Sequence, residues 1–267
     1  MGGEGGNPRY LVSGDVHPAA ARGFSVAAGE YERSRPSYPE EAVDRLIQEL
    51  EVHRGGLVLD LGAGTGKLTR LLAPTGARLV ALDPVEAMRK ACADLVPEAL
   101  VAGGVAEALP FGEGTFDGVV AGQAFHWFDG PRALAEIHRA LKPYGRLGLI
   151  WNIRDESVDW VRRLTEIIEP YERAVPREKT HAWRAAFQMT DLFGSLNQRR
   201  FQHSQTLDVA RLVERFSSVS FVASLPDQKR SAVLARIREL AETHPDLAGR
   251  DTFELPYFTE LYWCSRT

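Results

Sequence analysis

The sequence predicts an α/β protein with a mainly parallel, seven-stranded sheet and a helical cap. Between residues 57 and 151, short apolar runs alternate with segments of helical periodicity, and this alternation favours a parallel sheet with helices on both faces. Beyond residue 151 helical patterns dominate, interrupted by two strand-like stretches at 201–207 and 257–264. We expect these two stretches to close the sheet as an antiparallel pair, with the last strand antiparallel to the others.

The N-terminal residues 1–22 are rich in Gly, Pro and Ala and show no apolar period, which is typical of a disordered tail. Residues 23–267 are predicted to form a single domain, because a chain of this length can bury one good core. Helical insertions at about 154–200 and 208–250 would form the cap over one end of the sheet.

The first helix is predicted to follow a capping-box spacing at Ser37–Glu40 and to end before Gly55. Its apolar face consists of Val43, Leu46, Ile47 and Leu50. The later elements are expected, in order, as strand 57–61, a helix through 68–72, strand 79–82, a helix through 85–92, strands near 99–101 and 116–121, helix 131–141 and strand 147–151. Each strand is a short apolar run, and each helix carries apolar residues at helical spacing.

Composition and charge exclude several function classes. The longest apolar runs are far shorter than the roughly 20 residues of a membrane span, and the N-terminus has no basic region followed by an apolar stretch; we therefore expect a cytoplasmic protein with no membrane partner. The net charge of −4 and the scattered basic residues disfavour nucleic acid. The two cysteines form no CxxC pair and have no histidine set nearby, so no metal site is predicted.

The segment 57–66 carries the strongest functional signal. A buried strand, LVLDL, runs into a GxGxG turn at Gly62, Gly64 and Gly66, and a helix follows. Glycines let a ligand approach the backbone, and the free N–H groups at the helix start favour an anion. A dinucleotide loop would need glycine where Lys67 stands, and a phosphate-binding loop would need glycine at position 61 and Ser or Thr at position 68, where this chain has leucines.

This run resembles the first motif of class I S-adenosylmethionine (SAM)-dependent methyltransferases, in which an acidic residue ends the first strand and GxGxG follows. The resemblance implies a Rossmann-like fold and SAM as cofactor. It also implies that the cofactor contacts Asp60, Gly62, Ala63, Gly64 and Gly66.

Asp83 ends the second strand and precedes Pro84. An acid at this position can accept both hydroxyls of a ribose, although it could also cap the next helix. Met88, one turn into that helix, is a candidate adenine contact, with packing in the core as the alternative. The stretch after the third strand resembles the family's adenine site, but Val105 stands where the family often has an acid; adenine recognition would then fall to the main chain of Val105 and Ala106 or to Glu107.

The fourth strand ends in the run Gln123-Ala124-Phe125-His126-Trp127-Phe128. This run, together with Tyr31–Pro39, resembles a branch of small-molecule methyltransferases that includes trans-aconitate methyltransferase and its fungal relatives. The resemblance covers residues 24 to about 152. It implies that Gln123 lies at the cofactor and that Tyr31 closes over its methionine end.

Candidate catalytic and substrate-binding residues surround the same edge of the sheet. His126 is the nearest candidate general base for a hydroxyl acceptor, with a backbone hydrogen bond as its alternative role. Trp127 and Trp151 are expected as walls of the acceptor pocket. Arg35 and Arg154 could pair with a carboxylate substrate, although solvated arginines are common.

The resulting hypothesis is a SAM-dependent methyltransferase that acts on a small organic molecule, by O-methylation of a carboxylate or hydroxyl. The run after the fourth strand lacks the Asn/Asp-Pro-Pro-Tyr/Phe motif of many amino-methylating enzymes, and neither cysteine follows a proline as in pyrimidine carbon methylases. Two alternatives remain at this point, namely a SAM-binding regulatory module without catalysis and a NAD-dependent reductase. The oligomeric state is not predicted.

Overall fold

The computed structural model describes residue 32, residues 34–172 and residues 181–267. The tail predicted at 1–22 and the candidate cofactor residue Tyr31 lie outside the described residues. The strands are β1 Leu57–Leu61, β2 Arg78–Leu82, β3 Leu100–Ala102, β4 Phe116–Gly122, β5 Leu141–Arg154, β6 Asn197–Leu207 and β7 Phe253–Ser265. The helices are α1 Glu40–Glu49, α2 Lys67–Leu72, α3 Glu86–Leu95, α4 Gly130–Ala140, α5 Asp159–Glu172, α6 Arg184–Gln188, α7 Val209–Ser217, α8 Ser220–Ala223 and α9 Asp227–Thr243.

The seven strands form one sheet in the order β3-β2-β1-β4-β5-β7-β6. Strands β1 to β5 pair in parallel, and β7 is antiparallel to both β5 and β6. This arrangement confirms the predicted fold class, including the antiparallel last strand. The strand order reverses between β1 and β4, and in open α/β sheets ligands bind outside the carboxyl ends of the strands at such a reversal.

Helices cover both faces of the sheet because successive residues of a strand point to opposite sides. On one face, Val58 of β1 and Ile150 of β5 pack with α1 and α2. On the other face, their neighbours Leu59 and Leu149 pack with α4. The short strands are buried on both sides, which explains why they read as continuous apolar runs rather than alternating ones.

The second half of the chain builds a separate apolar cluster around α5, α7 and α9. Leu164 of α5, Phe216 of α7 and Ile237 of α9 are fully buried together, and Leu255 of β7 joins them. These helices therefore pack on the β6–β7 end of the sheet, within the ranges expected for a helical cap. Within the described residues, no helix is both long and apolar enough to cross a lipid bilayer.

The structure corrects several predicted boundaries. The capping box at Ser37–Glu40 does not form, because Pro39 occupies the N-cap of α1 and no side chain bonds the helix start. Strand β5 begins directly after α4 and is much longer than the expected 147–151. Strands β6 and β7 also extend beyond the predicted ranges, and their added pairs join Asn197 to Trp263 and Thr206 to Glu254.

Candidate active site

The loop after β1 lies in the crevice where the strand order reverses. Its backbone N–H groups at Gly62 and Ala63 donate to the carbonyl oxygen of Leu82, at 2.8 and 3.1 Å. All three glycines of the GxGxG run have positive φ, at +71°, +58° and +79° in order. Side chains other than glycine are disfavoured in this backbone region, so the loop requires its glycines for conformation alone.

The three glycines differ in what surrounds them. A Cβ at Gly62 would lie 2.7 Å from the Cβ of Ala124, and a Cβ at Gly66 would lie 2.7 Å from both Cys92 Sγ and Val96 Cγ2. A Cβ at Gly64 would meet no atom within 4 Å. Gly62 and Gly66 are thus required for packing, whereas Gly64 borders open space in which a ligand can approach the main chain.

Asp60, the fourth residue of β1, has a buried carboxyl group, and one of its two oxygens has no hydrogen-bond partner among the described residues. Thr69 Oγ1 donates to its Oδ2 at 2.6 Å, but Oδ1 has no hydrogen-bond partner among the described residues. Desolvation by burial raises the pKa of Asp60 to about 7, against the lowering effect of the Thr69 hydrogen bonds. A cationic group of a ligand would satisfy Oδ1.

Asp83, one residue past β2, joins two parts of the crevice. Its Oδ2 accepts the Gly64 N–H at 2.9 Å, and its Oδ1 accepts the Val85 N–H at 2.8 Å. Because a carboxylate offers about four acceptor positions, both oxygens can still accept a ligand hydroxyl. Desolvation by burial raises the pKa of Asp83, opposed by these two hydrogen bonds. Helix α3 itself starts at Glu86 with Val85 at its N-cap, so Asp83 does not occupy the N-cap position.

The residues expected near adenine are mostly enclosed. Val105, Ala106 and Met88 are buried. The side chain of Glu107 is already engaged, because its Oε1 accepts the backbone N–H of Asp129 at 2.7 Å. Adenine recognition by these residues stays a prediction.

A segment before α1 lies against the glycine loop. Lys67 Nζ donates to the backbone oxygens of Glu32 and Arg35, each at 2.9 Å, and Thr65 Oγ1 donates to Glu32 Oε2 at 2.5 Å. A Cβ at Gly122 would lie 2.7 Å from the hydroxyl oxygen of Tyr38. The segment is therefore held close over the carboxyl ends of β1 and β4.

An open cavity lies between this segment, the glycine loop and α7, and it encloses about 540 Å³ of space that includes open solvent at its mouth. Its lining includes Asp60, Gly64, Gln123, Arg35 and Arg215. Gln123 has a φ of +58°, and backbone strain of this kind in a residue other than glycine often marks a functional site. Its side-chain Nε2 donates to Asn152 O at 3.2 Å, which ties the ends of β4 and β5 together.

His126 lies in the short turn that follows the carboxyl end of β4. Its Nδ1 accepts a hydrogen bond from Trp151 Nε1 at 3.1 Å. Trp151 has no exposed surface and packs in the core, so it does not form a wall of the acceptor pocket as expected, and its indole N–H instead bonds the His126 ring. Trp127 is partly exposed, and its ring centroid lies 5.4 Å from that of His126.

The two arginines proposed for substrate have different surroundings. Arg35 lines the cavity. Arg154, the last residue of β5, places its guanidinium 5.5 Å from the ring centroid of Phe216, and its Nη2 donates to Thr165 Oγ1 at 3.4 Å. Arg154 thus lies where the sheet meets the cap helices.

Arg215 and Lys67 also line the cavity, and the sequence suggested neither as a site residue; Arg215 is the buried one. It belongs to an amphipathic helix with no motif around it, so nothing in its sequence distinguishes it from a solvated arginine. In the part of the chain that the structure describes, no group of three or more His, Cys, Asp or Glu side chains is placed to hold a metal ion.

Comparisons with known proteins agree with this arrangement. Residues 59–149 match a family model described as a methyltransferase domain. An uncharacterized methyltransferase of Mycobacterium tuberculosis is 39% identical over 236 residues, which cover 88% of this chain and 92% of that protein. A malonyl-[acyl-carrier protein] O-methyltransferase of Pseudescherichia vulneris is 33% identical over 129 residues, covering 48% of this chain and 51% of that protein.

A solved structure supports the fold independently. A putative type II methyltransferase from Anaeromyxobacter dehalogenans superposes with a TM-score of 0.62 at 22% identity, covering 87% of this chain and 97% of that one.

Proposed function

This chain belongs to the methyltransferase domain family and is a SAM-dependent methyltransferase, and we propose that it methylates an oxygen atom of a small organic molecule, a carboxylate or a hydroxyl. The observation that carries the proposal is the cavity over the glycine loop, which is lined by arginines.

The residues around the cavity fit SAM. The methionine part of SAM carries an ammonium and a carboxylate, and the cavity offers the unsatisfied Oδ1 of Asp60 and the cationic side chains of Arg35 and Arg215. The open space at Gly64 would admit the cofactor against the backbone. Asp83 retains acceptor positions for the ribose hydroxyls.

SAM supplies a methyl group already activated by its positive sulfur, so the protein chiefly aligns the acceptor and excludes water. Arg35 would attract an anionic acceptor to the cavity, and Trp127 would form part of the wall. A carboxylate acceptor is ionised at neutral pH and needs no general base. A hydroxyl acceptor needs one, and His126 is the residue proposed for that role.

Three further observations support oxygen as the acceptor atom and a small molecule as the substrate. The relative from P. vulneris is named as an O-methyltransferase, and the run Gln123–Phe128 resembles the trans-aconitate methyltransferase branch. The net charge of −4 gives no attraction to nucleic acid.

The proposal is tested by assaying release of S-adenosylhomocysteine with matched acceptors. We expect turnover with members of a panel of small carboxylic acids and phenols, and a methylated product by mass spectrometry. The methyl esters and methyl ethers of the same compounds are the control, because their oxygen is already blocked. Activity toward amines alone, or equal activity with the blocked compounds, would contradict O-methylation.

A further inference from the structure

Arg215 on α7 is a buried cation that lines the cavity. It is only 4% exposed, and its guanidinium carbon lies 5.7 Å from the ring centroid of Phe216. Its Nε and Nη1 have no hydrogen-bond partner among the described residues. Burying a charge without a partner is unfavourable, so a partner supplied by a ligand gives this residue a physical reason to be there.

The surroundings of Arg215 carry excess positive charge. It lines the same cavity as Arg35 and Lys67. The carboxylate of Glu32 is already engaged by Arg70 at 2.5 Å and by Thr65 at 2.5 Å, with Lys67 Nζ at 3.8 Å. The pKa of Lys67 is lowered, chiefly by desolvation and further by neighbouring guanidinium groups that include Arg215. This end of the cavity therefore favours an anion.

Asp60 and Arg215 line the same cavity and carry groups of opposite charge, and Oδ1 of Asp60 and Nε and Nη1 of Arg215 have no hydrogen-bond partner among the described residues. An α-amino acid group carries one ammonium and one carboxylate and would satisfy both. Gly62, Ala63 and Gly64 line the same cavity, and Gly64 borders open space.

We propose that Arg215 binds the α-carboxylate of the methionine part of SAM, so that cap helix α7 contacts the cofactor directly. This inference rests on the proposed function, since it assumes that SAM occupies the cavity. It assigns a cofactor-binding role to a residue outside residues 59–149, the part that matches the family model. The cap is then part of the cofactor site.

The test is a calorimetric comparison of SAM with decarboxylated SAM, which keeps the amine and the sulfonium but lacks the carboxylate. In Arg215→Gln we expect affinity for SAM to fall by about 10- to 100-fold, as for the loss of a charge-assisted hydrogen bond, while affinity for decarboxylated SAM is unchanged or higher. Arg211→Gln makes the same change on the same helix at an exposed residue and should bind both ligands like the parent.

Thermal unfolding without ligand separates this role from a structural one. Arg215→Met removes a buried charge whose Nε and Nη1 have no partner among the described residues, so its midpoint should equal or exceed that of the parent. If Arg215→Gln weakens both ligands by the same factor, or weakens neither, the proposal is overturned. If the parent does not bind SAM, the proposed function fails instead.

Discussion

The indole N–H of Trp151 donates to Nδ1 of His126 over 3.1 Å. Trp151 is fixed in an aromatic cluster, with ring centroids of Trp183 and Tyr262 at 4.7 and 5.8 Å. A neutral imidazole that accepts on Nδ1 carries its proton on Nε2. In this arrangement Nε2 of neutral His126 is a hydrogen-bond donor and cannot take a proton from a hydroxyl acceptor. Since a carboxylate acceptor needs no general base, the arrangement favours a carboxylate over a hydroxyl.

Substitutions of His126 should therefore affect turnover modestly. His126→Asn can keep an acceptor near the Nδ1 position, whereas His126→Gln leaves the buried Trp151 N–H without one and should destabilise the protein by about 1–3 kcal/mol. We expect both variants to retain turnover within about 10-fold of the parent, below the factor of 100 to 10,000 typical of general-base loss. Cofactor-release rates and urea unfolding measure the two effects. A rate loss of that larger size in both variants would identify His126 as a base.

The glycine loop allows a test in which backbone strain is held constant. Gly64→Ala and Gly55→Ala both place a side chain at positive φ, +58° and +84°, where a Cβ meets no atom within 4 Å. Each should destabilise the protein by about 1–2 kcal/mol. Gly64→Ala alone should weaken SAM binding, by about 10-fold or more, because its Cβ takes space that the cofactor needs. Equal SAM affinity in the two variants would contradict the placement of the cofactor.

Gly66→Ala should behave differently from both. Its Cβ would contact Cys92 Sγ and Val96 Cγ2 at 2.7 Å, and overpacking typically costs about 1–3 kcal/mol beyond the backbone strain. Urea unfolding should therefore rank Gly66→Ala below Gly64→Ala in stability. The reverse order would show that α3 moves away from the loop at little cost.

The sequence predicted the fold because the central strands are buried on both faces. Strand β1 and the GxGxG run needed no tertiary information, since the apolar run and the glycines are local signals.

The edge of the sheet was harder to predict. Residues 197–200 are polar and exposed, and they join the sheet through backbone pairing with β7 and through the ion pair between Arg200 and Glu260. The strand expected at 147–151 begins instead at Leu141, so Tyr144, with a φ of +66°, lies within β5.

The site was only partly predictable for a related reason. Asp60, Asp83 and the glycines occur in a motif whose spacing is visible in the sequence. The hydrogen bond from Trp151 to His126 and the burial of Arg215 depend on how β5 and α7 pack, and no local pattern encodes them. Arg215 lies on a helix whose polar positions resemble any solvated face.

SAM binding should depend on pH through Asp60. Burial raises the pKa of Asp60 from 3.8 to about 7, so below about pH 7 the free protein holds a proton there. A ligand ammonium at Oδ1 favours the ionised form, and binding must then release this proton. Affinity should increase as pH rises toward about 7 and level off above it.

Without ligand, the free energy of unfolding should fall as pH rises from about 4 to 7, because the unfolded chain has already lost the proton.

Calorimetry in two buffers of different protonation enthalpy measures the proton release directly. Asp60→Asn should abolish the release and flatten the pH dependence of affinity. Asp94→Asn, at an exposed site on α3, should keep both. A pH dependence that persists in Asp60→Asn would assign it to another group.

The acceptor class should be decided by the arginines. If the acceptor is a carboxylic acid, loss of the arginine that pairs with it should raise KM by about 10- to 100-fold with little change in kcat, since the charge pair exists before the methyl transfer. Arg35→Gln and Arg154→Gln are the variants, assayed against a carboxylic acid series and a phenol series. Arg163→Gln, at an exposed site on α5, controls for the loss of one positive charge.

Arg154 also stacks over Phe216, so Arg154→Lys should restore the charge but not the planar contact and should recover only part of the acid affinity. A phenol series that is insensitive to both arginines and strongly sensitive to His126 would instead assign the acceptor as a hydroxyl.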